Sequence, residues 1–309
     1  MTTRRTVLLL QAAVVAAVLV VGCAAALVMV ASQKAEATLP GQSQLTNNTV
    51  HDTAPSYSPD GKKIVYASYP DRHDYDLYTI NTSGGGRVRL TNNDIDEAVP
   101  DYSPDGERIA YSGGDGRDWE IFTINAGGGG KFNVTNNDTD DYAPDYSPDG
   151  KRIAYRASDG TGFFDDDIYT INTSGGGRVR LTNNELDEVL PDYSPNGEKI
   201  VYQLFDGYDF ELYTINTSGG GRVRLTNNDN DDFSPDYSPD GKRIAYNSYA
   251  GHTTEIYTMN ASGGGKIRLT NNRTDDLYPS YSPNGHKIVY AGYDGNDREI
   301  YTISVGGGG

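Results

Sequence analysis

The sequence predicts an all-β protein, a six-bladed β-propeller of four-stranded antiparallel blades. The tetrapeptide Leu/Val-Thr-Asn-Asn recurs six times at spacings of 44 to 47 residues, and this period is typical of propeller blades. A Tyr-Ser-Pro-Asp/Asn-Gly turn recurs with the same period and is followed each time by an alternating strand pattern. The repeats start near Leu45, Leu90, Val134, Leu181, Leu225 and Leu269.

The second unit shows how each strand is predicted. Residues 98–103 form the first strand and lead into the Pro104-Asp105-Gly106 turn, in which Pro presets φ and Gly takes a positive φ. Residues 107–112 form the second strand and residues 119–125 the third. A glycine run then turns the chain into a short fourth strand that ends at Thr135.

The fourth strand carries basic residues at its edge. In the first unit, Arg87 and Arg89 lie on one face of this strand by the period of two. Charge on an outer edge strand opposes edge-to-edge aggregation, so we expect a structural role for these residues rather than a basic binding stripe.

The two ends of the repeat region predict how the ring closes. Residues 41–46 match residues 86–91 position by position, although no first three strands precede them. The sixth unit stops in the run 306–309, where its fourth strand would begin. We therefore expect residues 41–46 to complete blade six and to leave no open sheet edge.

The domain organisation follows from this repeat. Residues 1–37 are predicted to be a signal peptide or membrane anchor, residues 38–40 a short tether, and residues 41–309 the propeller. Arg4 and Arg5 precede the apolar stretch 12–31, which is long enough to cross a bilayer as a helix. The positive-inside bias predicts an exported propeller on the non-cytoplasmic side of the membrane, periplasmic or extracellular.

Three fates of the N-terminal segment remain open. Val20-Val21-Gly22-Cys23 resembles a bacterial lipobox, in which Cys23 would be lipidated. Ala35-Glu36-Ala37 has the small-x-small form of a signal peptidase site. Without cleavage, the segment would be a signal anchor that holds the propeller at the membrane.

Composition excludes several function classes. The 309 residues carry 43 Asp and Glu against 26 Lys and Arg, a net charge of −17. Phosphate backbones repel such a chain, so we expect no nucleic acid partner. One cysteine excludes an intramolecular disulfide framework. The four histidines fall in different units and loop positions and do not form a metal triad, and no Gly-x-Ser-x-Gly nucleophile motif is present.

The repeat resembles that of a known family. Tyr57-Ser58-Pro59-Asp60-Gly61, the basic-apolar strand after it and the Leu-Thr exit resemble the WD-like propeller repeat of the TolB family and of prolyl-oligopeptidase-type enzymes. The resemblance covers residues 41–309 and implies the propeller fold and TolB-like partner binding in the cell envelope. Residues 32–40 leave no room for the N-terminal α/β domain of TolB itself. The family's usual Trp is Tyr here, at Tyr57, Tyr102, Tyr146, Tyr193, Tyr237 and Tyr281.

Recurring acids are the candidate metal ligands. One set follows each Leu-Thr-Asn-Asn and a second set follows the Pro of the first strand, and both are expected to ring one mouth of the channel. Convergent carboxylates favour a hard cation, so Ca²⁺ is the possible cofactor, and none is required. A structural role, in which these acids accept backbone N–H bonds, is the alternative. The candidates are Glu97, Asp141, Glu188, Asp232, Asp101, Asp145, Asp192 and Asp236.

The loop between the second and third strands is a second candidate surface. Three units share the pattern Asp-Gly-x-Asp-x-Glu there, which we interpret foremost as a hairpin turn. Nearby aromatic residues, such as Tyr208, Phe210 and Tyr249, could form a rim that anchors a partner.

These observations predict a monomeric, non-catalytic module that binds a protein or glycan. One alternative is a metal-dependent propeller enzyme, a lyase or hydrolase that uses channel carboxylates. The other is a cation-stabilised structural surface protein. The membrane would be contacted only through the N-terminal segment.

Overall fold

A computed structural model describes residues 39–70, 74–114, 116–158 and 165–306, which form six four-stranded antiparallel sheets in a ring. The predicted six-bladed propeller is confirmed. Segment 1–37, including Cys23, lies outside the described residues, so the three alternatives for it stay predictions. Within the described part of the chain, no helix is long and apolar enough to cross a bilayer.

The first strand of every blade is the innermost, because first strands of neighbouring blades contact one another around the axis. The inner strands are β2 (Asp52–Tyr57), β6 (Glu97–Tyr102), β10 (Asp141–Tyr146), β14 (Glu188–Tyr193), β18 (Asp232–Tyr237) and β22 (Asp276–Tyr281). The second strands are β3 (Lys63–Ser68), β7 (Arg108–Gly114), β11 (Arg152–Ser158), β15 (Lys199–Phe205), β19 (Arg243–Tyr249) and β23 (Lys287–Tyr293).

The third and outer strands complete each sheet. The third strands are β4 (Asp76–Asn81), β8 (Trp119–Asn125), β12 (Asp166–Asn172), β16 (Phe210–Asn216), β20 (Thr254–Asn260) and β24 (Arg298–Ser304). The outer strands are β5 (Val88–Arg89), β9 (Phe132–Asn133), β13 (Val179–Arg180), β17 (Val223–Arg224), β21 (Ile267–Arg268) and, from the start of the chain, β1 (Ser43–Gln44).

The N-terminal strand closes the ring as predicted. Ser43 pairs with Thr302 and Gln44 with Tyr301, so β1 is the outer strand of blade 6. The Leu45 amide extends this pairing by donating to the Ile300 carbonyl at 2.7 Å.

Packing between blades supplies the hydrophobic core. The central tyrosine of each second strand is fully buried, and a ring on the neighbouring third strand lies 5.7 to 6.2 Å from its centroid. Val65 and Leu77 of blade 1 pack against Tyr111 of blade 2, and the other blade boundaries follow the same pattern. At the closing boundary, Val289 and Ile300 of blade 6 pack against blade 1. Each of the six boundaries therefore contributes its own apolar burial to the stability of the ring.

Each inner strand contains a bulge that the sequence did not reveal. In blade 2, Val99 and Pro100 together face a single residue of β7, because the register shifts between Ala98 and Asp101. Val99 has a φ of 49°, and the corresponding residue of every other blade also has a positive φ. A bulge accommodates a proline because no ladder donor is needed there. It also turns the next side chain, Asp101, into the channel.

Deletion of residues 41–46 should lower the melting temperature by about 10 °C. The deletion removes roughly four hydrogen bonds and exposes the edge of β24 to solvent. Ser43→Ala is the control: this side chain is exposed and the backbone pairing is retained. Its melting temperature should match that of the wild type in differential scanning calorimetry. A deletion variant that melts like the wild type would contradict the closure of the ring by β1.

Candidate functional site

A buried pair of carboxylates lies at every boundary between blades. At the boundary of blades 4 and 5, Glu211 comes from the third strand of one blade and Asp232 from the inner strand of the next, and both are fully buried. Asn228 of the Leu-Thr-Asn-Asn motif joins them. Its backbone N–H donates to Glu211 at 2.6 Å and its side-chain amide donates to Asp232 at 2.8 Å. The motif is therefore a clamp between neighbouring blades.

Two contacts of the repeated tetrapeptide recur at all six boundaries. The second Asn of the motif donates its amide to the inner-strand acid at 2.5 to 2.8 Å each time. The Thr hydroxyl accepts the backbone N–H that follows the third-strand acid, at 2.8 to 2.9 Å. The third-strand acids are Asp76, Glu120, Asp167, Glu211, Glu255 and Glu299. Three of them end the Asp-Gly-x-Asp-x-Glu pattern that we interpreted from the sequence as a turn, and the other three were not singled out.

Basic residues of the outer strands neutralise part of this buried charge. The Arg224 guanidinium lies 2.9 Å from Glu211, and the Arg222 guanidinium lies 3.4 Å from Glu188. In blade 1, Arg89 pairs with Asp76 and Arg87 stacks over the Tyr78 ring at 4.0 Å. These side chains therefore compensate buried acids in addition to the edge role that the sequence suggested, and they do not form a free basic stripe.

The structure separates the eight predicted metal ligands into two sets. Glu97, Asp141, Glu188 and Asp232 are fully buried in the blade clamps and do not line the channel cavity. Asp101, Asp145, Asp192 and Asp236 do line it, together with Ser56 and Ser280 of the two blades that lack the acid. The two sets occupy different positions along the inner strands.

The channel acids also connect neighbouring blades. Asp192 of blade 4 accepts the Tyr237 N–H of blade 5 at 2.8 Å, and Asp145 accepts the Tyr193 N–H at 2.7 Å. The same bond runs from blade 2 to blade 3 and from blade 5 to blade 6. This is the structural role that the sequence left open as the alternative to cation binding.

Burial raises the pKa of all four channel acids. Burial raises the pKa of Asp101 to about 6 and that of Asp236 to about 8. Burial and the neighbouring carboxylates raise the pKa of Asp145 and Asp192 well above its usual value. The cavity has a volume of about 100 Å³, equal to the liquid volume of about three waters.

The two faces of the disc differ in sequence. One face carries the Ser-Pro-Asp/Asn-Gly turns and the glycine-rich turns, which are nearly the same in every blade. The other face carries the loops between second and third strands, which differ from blade to blade; we call it the variable face. An asymmetric partner can distinguish one blade from another only on such a surface.

An aromatic patch occupies the variable face at blades 4 and 5. Phe210 lies between Phe205 and Phe233, at centroid distances of 5.2 and 5.3 Å, and Tyr249 follows at 6.2 Å from Phe233. The three phenylalanines are half-buried and Tyr249 is exposed. Tyr208, at the tip of the same loop, is 93% exposed. These five residues are the aromatic patch.

Comparison with known proteins agrees with the fold. The family model of the TolB β-propeller domain matches residues 94–203 and 168–309, more than half of the chain. The chain belongs to this family. No curated protein sequence matches it.

Solved structures show the same architecture. A putative TolB from Agrobacterium tumefaciens is 23% identical, with a TM-score of 0.67 over 85% of this chain and 93% of that one. TolB from Acinetobacter baumannii is 22% identical, with a TM-score of 0.65 over 88% of this chain and 65% of that one. An oligogalacturonate lyase in complex with manganese is 13% identical, with a TM-score of 0.62 over 86% and 93%. At these identities the likeness shows the fold alone.

Asp192→Asn should raise the melting temperature by about 5 °C at pH 8 and change it little at pH 4. The folded-state pKa of Asp192 is raised above its unfolded value, so its ionisation reduces stability as pH rises from about 4. Asn retains an acceptor for the Tyr237 N–H and removes the charge. Melting curves in EDTA measure the effect.

Asp138→Asn is the matched control for this prediction, because it removes one charge from an exposed loop. Its pH profile should parallel that of the wild type. A channel variant whose profile also parallels the wild type would contradict the electrostatic coupling of the channel acids.

Proposed function

We propose that this propeller is a non-catalytic binding module that recognises a protein through its variable face. The aromatic patch is the observation that carries the proposal. Exposed aromatic side chains are hydrated unfavourably, and aromatic residues are among those that most often anchor protein interfaces. Tyr208, at 93% exposure, contributes nothing to the core and is available to a partner.

The charged residues around the patch indicate the charge of the partner surface that would fit it. Asp209 follows Tyr208 in the same loop, and Asp231 lies at the base of the loop, where it accepts the Phe210 N–H at 2.8 Å. The whole chain carries a net charge of −17. We propose a basic protein surface with an apolar or aromatic anchor, since such a surface is attracted over long range and then fills the patch.

The cellular setting is part of the proposal. The apolar segment 12–31 after Arg4 and Arg5 supports export, and membership of the TolB propeller family supports an envelope partner. A glycan that stacks on the same rings is the alternative ligand within this binding function.

The channel dimensions argue against a catalytic small-molecule site in the channel. Small-molecule sites commonly enclose about 300 Å³ or more, whereas the channel cavity has about 100 Å³. The carboxylates in it already accept backbone N–H groups from the next blade. Both observations support a structural rather than a catalytic role for Asp101, Asp145, Asp192 and Asp236.

Combined Tyr208→Ala and Tyr249→Ala substitutions should weaken capture of the envelope partner about thirtyfold, because a buried aromatic anchor contributes about 2 kcal/mol or more. The measurement is a quantitative pull-down from envelope extract, followed by titration of the captured protein. Phe132→Ala is the matched control, because Phe132 is 44% exposed on the outer strand of blade 2 and Tyr249 is 43% exposed.

Equal capture by the double variant and the wild type would contradict the patch as the binding surface. Chelator-sensitive cleavage of a polysaccharide or peptide by the purified protein would contradict the non-catalytic function. If the propeller captures a glycan and no protein, the proposed protein partner is wrong and the ligand is the glycan.

A further inference from the structure

Three acidic side chains converge on blade 6. Asp294 and Asp297 belong to the loop before β24, and Glu299 is the third-strand acid of the blade clamp. Each offers one carboxylate oxygen, and the three oxygens lie within 4.8 Å of one another. Glu299 is fully buried and Asp297 is 5% exposed, while Asp294 is exposed. Two of the three acids are thus buried and the third reaches solvent.

The Asp297 carboxylate can accept a further ligand. Among the described residues, no hydrogen-bond partner reaches its Oδ1 atom, although this atom is buried. Its carboxyl group is close enough to Glu299 to share a hydrogen bond. Two carboxylates adopt such a contact only with a proton or a cation between them. A buried, unpaired carboxylate oxygen is costly, so this geometry calls for a positive partner.

In blade 4, an arginine lies between the corresponding acids. Its Asp206-Gly-Tyr-Asp209-Phe-Glu211 sequence has the same pattern as 294–299. There the Arg224 guanidinium lies 2.9 Å from Glu211 and 3.2 Å from Asp206, and it joins the first and last acids of the pattern.

Blade 6 lacks this arginine. Arg224 pairs with Tyr213 on the third strand, and Gln44 pairs with the equivalent Tyr301. A neutral amide therefore stands where blade 4 has a positive charge. Blade 2 also has a neutral residue there, Asn133, but its Asp115 lies outside the described residues.

Arg298 and Arg87 do not take over this role. Arg298 lies between Asp297 and Glu299 in sequence, so the strand period directs its side chain to the opposite face. Arg87 lies 3.8 Å from Asp52 in the adjoining blade. Burial, followed by the charges of Asp294 and Asp52, raises the pKa of Asp297 to about 6.

We infer that Asp294, Asp297 and Glu299 bind a divalent hard cation, with Ca²⁺ as the matching ion, at the position that a guanidinium holds in blade 4. Carboxylate oxygens and a half-open cluster suit Ca²⁺, which completes its shell with water. Glu299 also accepts the Asn48 N–H of the segment that follows β1. The ion therefore stabilises the blade in which the two ends of the propeller meet. This site is separate from the channel and from the aromatic patch.

The test is calorimetric titration of the full-length protein with Ca²⁺ and, separately, with Mg²⁺ and Mn²⁺, together with melting curves. At a hundredfold excess over Kd, Ca²⁺ should raise the melting temperature by about 5 °C. Asp297→Asn keeps the size of the side chain and should bind one ion fewer per chain. Gln44→Arg should lose the same ion and, in EDTA, melt above the wild type, because it supplies the missing charge.

Asp209→Asn in blade 4 is the matched control, because Arg224 supplies the charge there, and its ion stoichiometry should equal that of the wild type. Absence of binding with all three ions would overturn the inference. Unchanged stoichiometry in both Asp297→Asn and Gln44→Arg would also overturn it and would place the bound ion elsewhere, for example in the channel. Equal loss in Asp209→Asn and Asp297→Asn would overturn the assignment to blade 6.

Discussion

The buried carboxylate pair between neighbouring blades is the constraint on which the rest of this structure depends. A charge removed from water must be matched by hydrogen bonds or by opposite charge, or the native state loses several kcal/mol. At each of six boundaries, one acid from a third strand and one from the next inner strand are buried together. At every boundary, the Asn of the repeated tetrapeptide donates to the inner-strand acid and the Thr accepts the backbone N–H that follows the third-strand acid. One short segment therefore holds two neighbouring blades together.

This constraint also explains the outer strands and the closing blade. An outer-strand arginine reaches the third-strand acid in blades 1, 3, 4 and 5. Blade 6 takes its outer strand from the start of the chain, where Gln44 provides no charge. The closing blade therefore differs electrostatically from its neighbours, which is the basis for the cation site inferred there. The loops between second and third strands do not contribute to the tetrapeptide contacts, so their sequences can differ from blade to blade.

Much of the fold was predictable because it depends on local, repeated signals. The third strand of unit two was predicted as 119–125 and is observed as Trp119–Asn125. The unmatched strand at 41–46 predicted ring closure, since a blade lacking its fourth strand at one end requires one from the other. The first and second strands were predicted one residue out of place at their starts, 98 rather than 97 and 107 rather than 108.

The contacts within the site were less predictable from the sequence, because the residues that bind one another belong to different blades. The sequence showed that Asn228 recurs but not that its N–H and its amide bind acids of two blades. It placed Glu97 and Asp101 on one rim, whereas the bulge at Val99-Pro100 lies between them and directs only Asp101 into the channel. The Asp-Gly-x-Asp-x-Glu pattern was interpreted as a turn, because the residue opposite it, Arg224 or Gln44, is identified only by strand pairing.

A double-mutant cycle between Asn228 and Asp232 tests the clamp most directly. Asn228→Ala, Asp232→Ala and the double variant are unfolded in urea, and the coupling free energy is taken from the four values. We predict a coupling of about 2 kcal/mol, typical of a hydrogen bond to a buried charged group. A coupling below about 0.3 kcal/mol, within the range of independent sites, would show that the repeated tetrapeptide does not hold the blades together.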